Sequence, residues 1–454
     1  MSDQDFFPPE MLLQVNKYLE CFCLSQEKLL EISARLKNEL IRGLEKETQD
    51  MMLATFVTAT ADGTEKGDFL TLDLGGTNFR VQHVHANEKK LEIKSEKKLS
   101  IPKEIMQQPG EKLFEYIVNC LGDFLDSSNL RGKTLPLGFT FSFPCKQEAI
   151  DKCFLIRWTK GFNCSGVEGK DVVKLLKEAV HKRGNYNIDS VAVVNDTVST
   201  MLSCSHKDPK CVIGMIIGTG TNACYMEEMK NVKYLQGEDG QMCINTEWGG
   251  FGDHGSLDDI KTQFDELVNR ESINPGVHIF EKMISGMYLG EIARLLLLKL
   301  MEDKLLFKGQ TPDMLKKPGN FETKFLSEIE MPDKGLENTK KILTSLGLKC
   351  ELVDIHVVRL VCETISTRSA HLCAAAIATV AERIRENRGL DRLETTVGVD
   401  GTLYKEHPNF KKRLQDKVEQ LAPKCKITFL DSDGSSGKGA AMAAAVVSCS
   451  TPVI

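Results

Sequence analysis

The chain has 454 residues, of which 41% are hydrophobic and 27% are charged, and its formal net charge is −6 at pH 7. This length predicts two domains, and the composition is that of an ordinary globular protein. The negative charge argues against nucleic acid or an anionic membrane surface as the main partner. We expect no integral membrane segment, because the richest apolar stretch is short and is flanked by charged residues.

The fifteen cysteines are scattered along the sequence, with no Cys-x-x-Cys pair and no Cys/His cluster of zinc spacing. This pattern favours reduced thiols over a disulfide framework. The N-terminus is acidic and contains no apolar core typical of a signal peptide. The sequence therefore predicts a cytoplasmic location.

Apolar residues recur at helical spacing over residues 10–46 and predict two helices, while residues 56–63 are typical of a strand that runs into a turn. The next apolar run reaches Asp73 and the pair Gly75-Gly76, and a second run with strand alternation follows it. This order predicts a hairpin with Thr77 and Asn78 at its tip. A Walker loop or a dinucleotide fingerprint would lead from the glycines into a helix, so neither is present.

The glycine hairpin has two interpretations. It is either an ordinary tight turn, which glycine pairs mark in many proteins, or a tip whose backbone N–H groups bind phosphate. A second hairpin of the same layout has its turn at Gly218-Thr-Gly-Thr221, and a third Gly/Asp turn at Asp400-Gly401-Thr402 follows another strand. Three such turns favour a nucleotide held in a cleft between two sheets.

Polar residues follow several of the predicted strands. Ser142 lies at the carboxyl end of a strand that stops at a proline, where open α/β sheets present ligand-binding residues. Asn195-Asp196 ends the strand 191–197, and on its own this pair is as typical of a purely structural turn or helix cap, with Asp196 as the cap, as of a functional site. Glu247 lies in a glycine-rich loop that we expect to shape a site, and Glu281 falls on the helical turn after residues 274–276.

The C-terminal third of the chain is predicted to be mainly helical. Residues 354–387 predict one long helix, and residues 410–421 and 435–449 predict the last two. Residues 433–439 fail the Walker pattern, because Ser432 and Gly439 replace its required glycine and Ser/Thr. We interpret this stretch as a helix start that faces the nucleotide.

Seven short motifs occur in register over residues 11–448, and each is weak alone. They are Leu72-Asp-Leu-Gly-Gly-Thr-Asn-Phe-Arg80, Leu137-Gly-Phe-Thr-Phe-Ser-Phe-Pro144, Trp158-Thr-Lys-Gly-Phe162, Val194-Asn-Asp-Thr197, Gly218-Thr-Gly-Thr-Asn222, Asn245-Thr-Glu-Trp-Gly249 and Gly398-Val-Asp-Gly401. Together they resemble the eukaryotic hexokinase/glucokinase family.

The resemblance implies an α/β fold of the actin-like, sugar-kinase type, with two domains and a ligand cleft between them. We expect residues 1–64 and 195–433 to form the large domain, and residues 65–194 and 434–454 to form the small domain. The implied reaction is transfer of a phosphoryl group from Mg-ATP to the 6-hydroxyl of glucose or a related hexose, the first step of glycolysis. The length resembles that of a single catalytic unit.

The resemblance also implies two sets of site residues. The sugar would contact Ser142, Phe143, Thr159, Lys160, Asn195, Asp196, Asn222, Glu247 and Glu281. ATP would contact Asp73, Gly75, Gly76, Thr77, Asn78, Arg80, Thr219, Gly286, Met287, Thr323, Ser327, Asp400, Gly401, Thr402 and Ser436.

Two of these residues would be catalytic. Asp196 would be the base that takes the hydroxyl proton, and Lys160, with Arg80, would offset charge on the transferring group. We expect no protein-only metal cage, so Mg²⁺ would be held by ATP oxygens and water, with Asp73 a water-mediated partner. Because water competes as a nucleophile, glucose binding would close the cleft before phosphoryl transfer.

Three positions depart from the pattern of the family. His278 stands where a glutamine is expected, Gly250 where an alanine is expected, and Ser435 where a glycine is expected. The first would affect sugar affinity, and the last would affect phosphate or product binding.

Two other kinds of protein also fit part of the pattern. A non-catalytic glucose sensor would share the fold, but it would not need an intact base, cation and phosphate turns. An actin-like or chaperone-like nucleotide switch would share the hairpins but not the sugar residues. We expect a monomer, and the sequence leaves open the affinity subtype and feedback by glucose 6-phosphate.

Overall fold

The computed structural model describes residues 9–48, 50–75, 78–88, 90–158, 161–184, 188–237, 239–310, 312–432 and 436–450. Two large sheets organise these residues, and a separate two-stranded ribbon is formed by β6 and β7. The strands are β1 Leu53–Ala54, β2 Gly67–Leu74, β3 Asn78–Asn87, β4 Lys90–Ser100, β5 Leu135–Phe141, β6 Cys145–Ala149, β7 Lys152–Leu155, β8 Ile188–Val194, β9 Cys211–Ile217, β10 Thr221–Glu228, β11 Gln241–Asn245, β12 Leu393–Asp400 and β13 Cys425–Asp431.

The larger sheet has the order β1-β11-β10-β9-β12-β13. β9 and β10 form the predicted second hairpin, in which Ile217 pairs with Thr221, while β12 runs parallel to both β9 and β13. The inward side chains of β9 are almost wholly apolar, and Ile213, Met215 and Ile217 are fully buried. Such continuous apolar runs are typical of strands that are covered on both faces.

The smaller sheet has the order β4-β3-β2-β5-β8. β2 and β3 form the predicted first hairpin, with Asp73 opposite Arg80, and β5 runs parallel to both β2 and β8. β4 is the edge strand, and its exposed lysines discourage pairing with another chain.

Helices cover the sheets, and the longest of them, α12, has 36 residues and is mostly buried. Within the described part of the chain, no helix has the length and hydropathy needed to cross a membrane. The helices are α1 Pro9–Leu19, α2 Gln26–Glu45, α3 Gly110–Ser127, α4 Val172–Arg183, α5 Asp196–Ser205, α6 Gln263–Glu271, α7 Ile279–Ile284, α8 Leu289–Glu302, α9 Asp313–Lys316, α10 Thr323–Ile329, α11 Gly335–Ser345, α12 Leu352–Asn387, α13 Thr402–Glu406, α14 Phe410–Leu421 and α15 Ser436–Ser450.

The last helix, α15, packs between the smaller sheet and α5. A Cβ built on Gly138 of β5 would lie 2.0 Å from the carbonyl oxygen of Ala440 in α15. A Cβ built on Gly439 would lie 1.7 Å from the carbonyl oxygen of Ser199 in α5. Both contacts are backbone to backbone, so only glycine fits at these two positions.

A buried side-chain hydrogen bond joins the segment before β2 to the end of α5. His206 Nδ1 lies 2.8 Å from Glu65 Oε2, and these side chains are 0% and 8% exposed. The Glu65 carboxylate also accepts hydrogen bonds from the N–H groups of Asp62 and Gly63. The turn that leads into the smaller sheet is thereby anchored to the helix that begins with Asp196.

One predicted strand is wrong, and several strands were missed. Residues 56–63 contain no strand, and β1 lies just before them. Phe56 has a φ of 58°, so the backbone leaves the extended conformation after β1. The predicted helices at 10–46, 354–387 and 410–421 are confirmed, while β6, β7, β11 and β13 were not predicted.

Replacement of Gly138 by alanine is expected to destabilise the fold, because the new methyl group would overlap the α15 backbone. Overpacking of this kind costs about 1–3 kcal/mol or more. Gly250→Ala is the control, since its Cβ would meet Asp253 Oδ2 at 3.6 Å and Met51 Cγ at 3.8 Å, which are ordinary contacts. Urea unfolding measures both variants, and equal stability of the two would contradict the proposed packing.

Candidate functional site

The carboxylate of Asp196 lies where β8 passes into α5. Asn195 is the N-cap, and its Oδ1 accepts hydrogen bonds from the N–H of Thr197 at 2.8 Å and from its hydroxyl at 2.7 Å. Asp196 is the first residue of the helix, so the cap that the sequence suggested for Asp196 lies at Asn195. Position at a helix N-terminus favours the ionised form of a carboxylate.

Glu247 follows β11 on a turn in the left-handed region, with a φ of 48°. Its Oε1 accepts hydrogen bonds from Asn245 Nδ2 at 2.7 Å and from Asn222 Nδ2 at 3.2 Å. Asn222 Nδ2 also donates to Asn245 Oδ1 at 2.8 Å. Two neighbouring strands, β10 and β11, thus orient this one carboxylate.

Glu281, on the short helix α7, contacts the second glycine hairpin. Its Oε2 accepts a hydrogen bond from the backbone N–H of Thr221 at 3.0 Å, and a Cβ on Gly220 would come within 2.7 Å of the same oxygen. The Thr221 hydroxyl accepts a hydrogen bond from the buried indole N–H of Trp248 at 3.0 Å. The hairpin therefore connects Glu281 to the residue that follows Glu247.

The carboxylates of Asp196, Glu247 and Glu281 share one region of low solvent access. Burial raises the pKa of Glu247, hydrogen bonding from Asn245 opposes this rise, and the charges of Asp196 and Glu281 add to it. A hydrogen bond donated to Glu281 raises the pKa of His278, and the charges of Glu281, Glu247 and Asp253 add to this rise. Clusters of ionisable side chains whose pKa values are perturbed are typical of functional sites.

Ser142 lies directly after β5, and its backbone N–H donates to the carbonyl of Leu74 at 3.2 Å. Its hydroxyl lies 3.9 Å from the position that a Cβ of Gly75 would take. The residues predicted to contact the sugar therefore meet those predicted to contact ATP at this point. The Phe143 ring is buried among Phe141, Trp158 and Phe162. Thr159 and the predicted catalytic Lys160 lie outside the described residues.

The second glycine hairpin approaches two other predicted nucleotide segments. Gly286 N–H donates to the Gly218 carbonyl at 2.7 Å, and Met287 N–H donates to the Thr219 carbonyl at 3.1 Å. A Cβ built on Gly218 would lie 3.3 Å from Gly401 Cα. Backbone from three separate parts of the chain therefore converges on one turn.

The first glycine hairpin is joined to the start of α15. The Ser436 hydroxyl donates to Asp73 Oδ2, and the Ser436 carbonyl accepts from the Ser199 hydroxyl. Arg80 lies opposite Asp73 on β3. Gly76 and Thr77 are outside the described residues, as is the Asn78 side chain.

The remaining predicted nucleotide residues lie around the second hairpin. Thr323 begins α10, its hydroxyl accepts a hydrogen bond from Gly290 N–H at 2.8 Å, and Ser327 lies one turn later. The Asp400 side chain accepts a hydrogen bond from Gly401 N–H at 2.8 Å, and Thr402 begins α13.

Three residues of this region were missed by the sequence analysis. Asn245 orients Glu247, Asp253 accepts hydrogen bonds from the backbone of residues 278 and 279, and Ser199 contacts α15. Asn245 carries a signal that could have identified it, because it ends a strand two residues before Glu247. Nothing in the local sequence indicates the partners of Asp253 and Ser199.

The glycines of the second hairpin let other backbone segments approach it closely, a feature that phosphate-binding turns also require. Among the described residues, no group of three or more His, Cys, Asp or Glu side chains is arranged to hold a metal ion. A divalent ion would therefore depend on phosphate oxygens and water, with Asp73 the nearest carboxylate of the first hairpin.

The two sheets, the glycine hairpins and the polar residues between them define a two-lobed α/β kinase fold of the sugar-kinase and actin type, with a ligand cleft between the lobes. Two family profiles, both described as hexokinase, match residues 14–206 and 212–446. The chain belongs to the hexokinase family.

Individual relatives agree with this assignment. Hexokinase-2 of Equus caballus and that of Homo sapiens are each 54% identical over 436 residues, which is 95% of this chain and 48% of theirs. The chain thus spans about half the length of these relatives. A hexokinase from Schistosoma mansoni, solved in complex with glucose, has a TM-score of 0.85 and 42% identity, covering 98% of this chain and 100% of that one. A second solved hexokinase also has a TM-score of 0.85, at 30% identity.

Replacement of Glu247 by glutamine is expected to stabilise the folded chain at neutral pH. Because burial raises the pKa of Glu247 above its ordinary value of 4.5, its ionised form costs stability at higher pH. This loss of stability disappears as the pH falls below the pKa that Glu247 has in the unfolded chain. Urea unfolding of wild type and variant at about pH 7.5 and about pH 4.5 measures this difference.

The control for this experiment is Glu271→Gln, since the Glu271 side chain is 49% exposed. It should leave the stability unchanged at both pH values. A Glu247→Gln variant less stable than wild type at neutral pH would contradict the electrostatic argument.

Proposed function

We propose that the chain transfers the γ-phosphoryl group of ATP to the 6-hydroxyl of glucose and related hexoses, giving glucose 6-phosphate and ADP. The observation that carries the proposal is the position of Asp196. Its carboxylate begins α5 beside Asn195, within electrostatic range of Glu247, and α5 packs against the helix that contacts the first glycine hairpin.

The comparisons support this proposal with one restriction. The curated relatives are about twice as long as this chain, so their names describe larger proteins. The Schistosoma mansoni hexokinase in complex with glucose is covered along its full length. We therefore infer that one unit of this size is sufficient for hexose binding and phosphoryl transfer.

The sugar set has the chemistry that a hexose requires. Each hexose hydroxyl both donates and accepts, and the carboxylate oxygens of Glu247 and Glu281, which are oriented by hydrogen bonds from neighbouring strands, offer acceptors. An epimer would leave one of these buried groups unpaired, which costs binding energy. Thr159 and Lys160 complete the set in our proposal.

Asp196 is the proposed general base. Its carboxylate would accept the proton of the 6-hydroxyl as that oxygen attacks the γ-phosphorus in line with the leaving ADP oxygen. Lys160 and Arg80 would offset negative charge on the transferring group.

ATP is proposed to lie between the two glycine hairpins. Support comes from the convergence of Thr219, Met287 and Gly401 and from the contact of Thr323 with the start of α8. Mg²⁺, when bound to ATP, would neutralise part of the phosphate charge. Asp73 would accept hydrogen bonds from its water ligands.

The two lobes are proposed to be residues 1–64 with 195–433, and residues 65–194 with 434–454. Each sheet lies within one of these sets, which supports the division. Sugar binding would bring the lobes together and exclude water from the phosphoryl group.

We also infer a reducing cytosolic location and a monomeric state. The fourteen cysteines whose side chains are described are free thiols, and most of them are buried. Feedback by glucose 6-phosphate and the affinity subtype remain for kinetics to decide.

Replacement of Asp196 by asparagine is expected to lower kcat by about 10²–10⁴-fold, because the amide has the shape of the carboxylate but cannot accept the proton of the 6-hydroxyl. Glucose affinity, measured by tryptophan fluorescence, should change much less. Asp391→Asn is the control, since the Asp391 side chain is 90% exposed. Coupled ADP release at saturating Mg-ATP measures kcat.

Two results would count against this proposal. A kcat of Asp196→Asn close to that of wild type would remove Asp196 as the base. A wild-type chain that binds glucose and forms no ADP would exclude the kinase and leave a non-catalytic sugar sensor.

Replacement of Asp73 by asparagine is expected to weaken use of Mg-ATP roughly 10–100-fold, the range measured when partners of a metal-ligand shell are removed. Glucose affinity in the absence of nucleotide should be unchanged. Asp68→Asn is the control, because Asp68 lies on the same strand and contacts His83 and His85 instead. The measurement is the rate of ADP formation at varied Mg²⁺ concentration. Equal rates for Asp73→Asn and Asp68→Asn would contradict the proposed role of Asp73.

A further inference from the structure

His278 occupies a turn that is fixed by the carboxylate of Asp253. Its φ is 59°, in the left-handed region, and its N–H donates to Asp253 Oδ2 at 2.9 Å. The N–H of Ile279 donates to Asp253 Oδ1 at 2.8 Å. Both oxygens of one carboxylate therefore hold the backbone from which the imidazole projects.

The imidazole faces the carboxylates of the candidate sugar site. His278 Nδ1 lies 3.5 Å from Glu281 Oε1, and the two side chains are 38% and 20% exposed. The other oxygen of Glu281 is occupied by the N–H of Thr221. Glu281 is thus held between a backbone donor on one side and the imidazole on the other.

The charged groups around His278 are predominantly acidic. Glu281 on α7, Glu247 on the turn after β11 and Asp253 each favour its protonated form. Asp196 acts on Glu247 from the start of α5. The next cation on α7, Lys282, donates to Asn269 Oδ1 at 2.9 Å and to the carbonyl of Asn274 at 2.6 Å, and its charge also interacts with Asp253 and Glu281.

We propose that His278, as an imidazolium, is a positioning residue that offsets the repulsion between Glu281 and Glu247 and makes hexose affinity fall as the pH rises. The proposal rests on the hexose-binding function proposed above. A glutamine at this position, which the family resemblance leads one to expect, is neutral at every pH and would give no such dependence.

The direction follows from proton linkage. The surrounding carboxylates raise the pKa of His278 above 6.5, so the imidazolium persists above the pH at which a free histidine loses its charge. When the proton is lost, Glu281 and Glu247 repel each other without compensation. Their oxygens are then less well positioned for sugar hydroxyls, and hexose binding weakens.

Glucose titrations without nucleotide test the proposal over about pH 6 to 9. The signal is the fluorescence of the two tryptophans, one of which, Trp248, is fully buried and follows Glu247 in sequence. The wild-type Kd for glucose should rise roughly three- to fivefold over this range, which corresponds to the interaction free energy of an exposed or partly exposed ion pair. His278→Gln should give a Kd that does not change with pH.

The control is His254→Gln, since His254 is an exposed histidine near the same turn. It should keep the wild-type pH dependence. Thermal unfolding of all three proteins checks that each one folds. A change in the pH dependence of Kd can then be distinguished from a loss of structure.

Each outcome decides one question. A wild-type Kd that is flat with pH, or a His278→Gln Kd that keeps the wild-type slope, overturns the role of His278 while glucose phosphorylation stands. Absence of glucose binding by the folded wild type at every pH overturns the proposed function and the role of His278 together.

Discussion

The contact between α5 and α15 sets the distance between the two halves of the site. Their backbones touch at Gly439 and Ser199, so neither helix can shift toward the other. α5 begins with Asp196, and α15 begins with Ser436, whose hydroxyl contacts Asp73 at the end of β2. The proposed base and the first glycine hairpin are therefore held next to one another by one closely packed helix pair.

The second constraint is electrostatic. The charges of Asp196 and Glu281 act on Glu247, and this arrangement opposes folding because like charges repel and burial raises the pKa of Glu247. The protein offsets the cost with fixed donors: Asn222 and Asn245 for Glu247, and the Thr221 backbone for Glu281. The same donors keep the carboxylates oriented before a ligand arrives, which reduces the reorganisation that binding requires.

The sequence predicted the features that depend on local pattern. Both glycine hairpins and the long helix α12 were found because alternation and helical periodicity act over neighbouring residues. β11 and β13 were missed because their apolar runs are short and lie beside loops. The strand predicted at 56–63 was wrong because the positive φ of Phe56 depends on packing that no short pattern encodes. The site motifs were identified, while the orienting contacts of Asn245 and Asp253 were not.

By itself, the sequence determined the order of the motifs and the residue types available for a sugar and a nucleotide, and the family resemblance that these motifs carry implied the fold class. Only the tertiary structure decided which of those residues meet. Glu281 reaches Thr221 across 60 positions, and Ser436 reaches Asp73 across 363. Such contacts arise when sheets and helices pack against one another, and the free energy that selects them is distributed over the whole core, so no local stretch of sequence contains it.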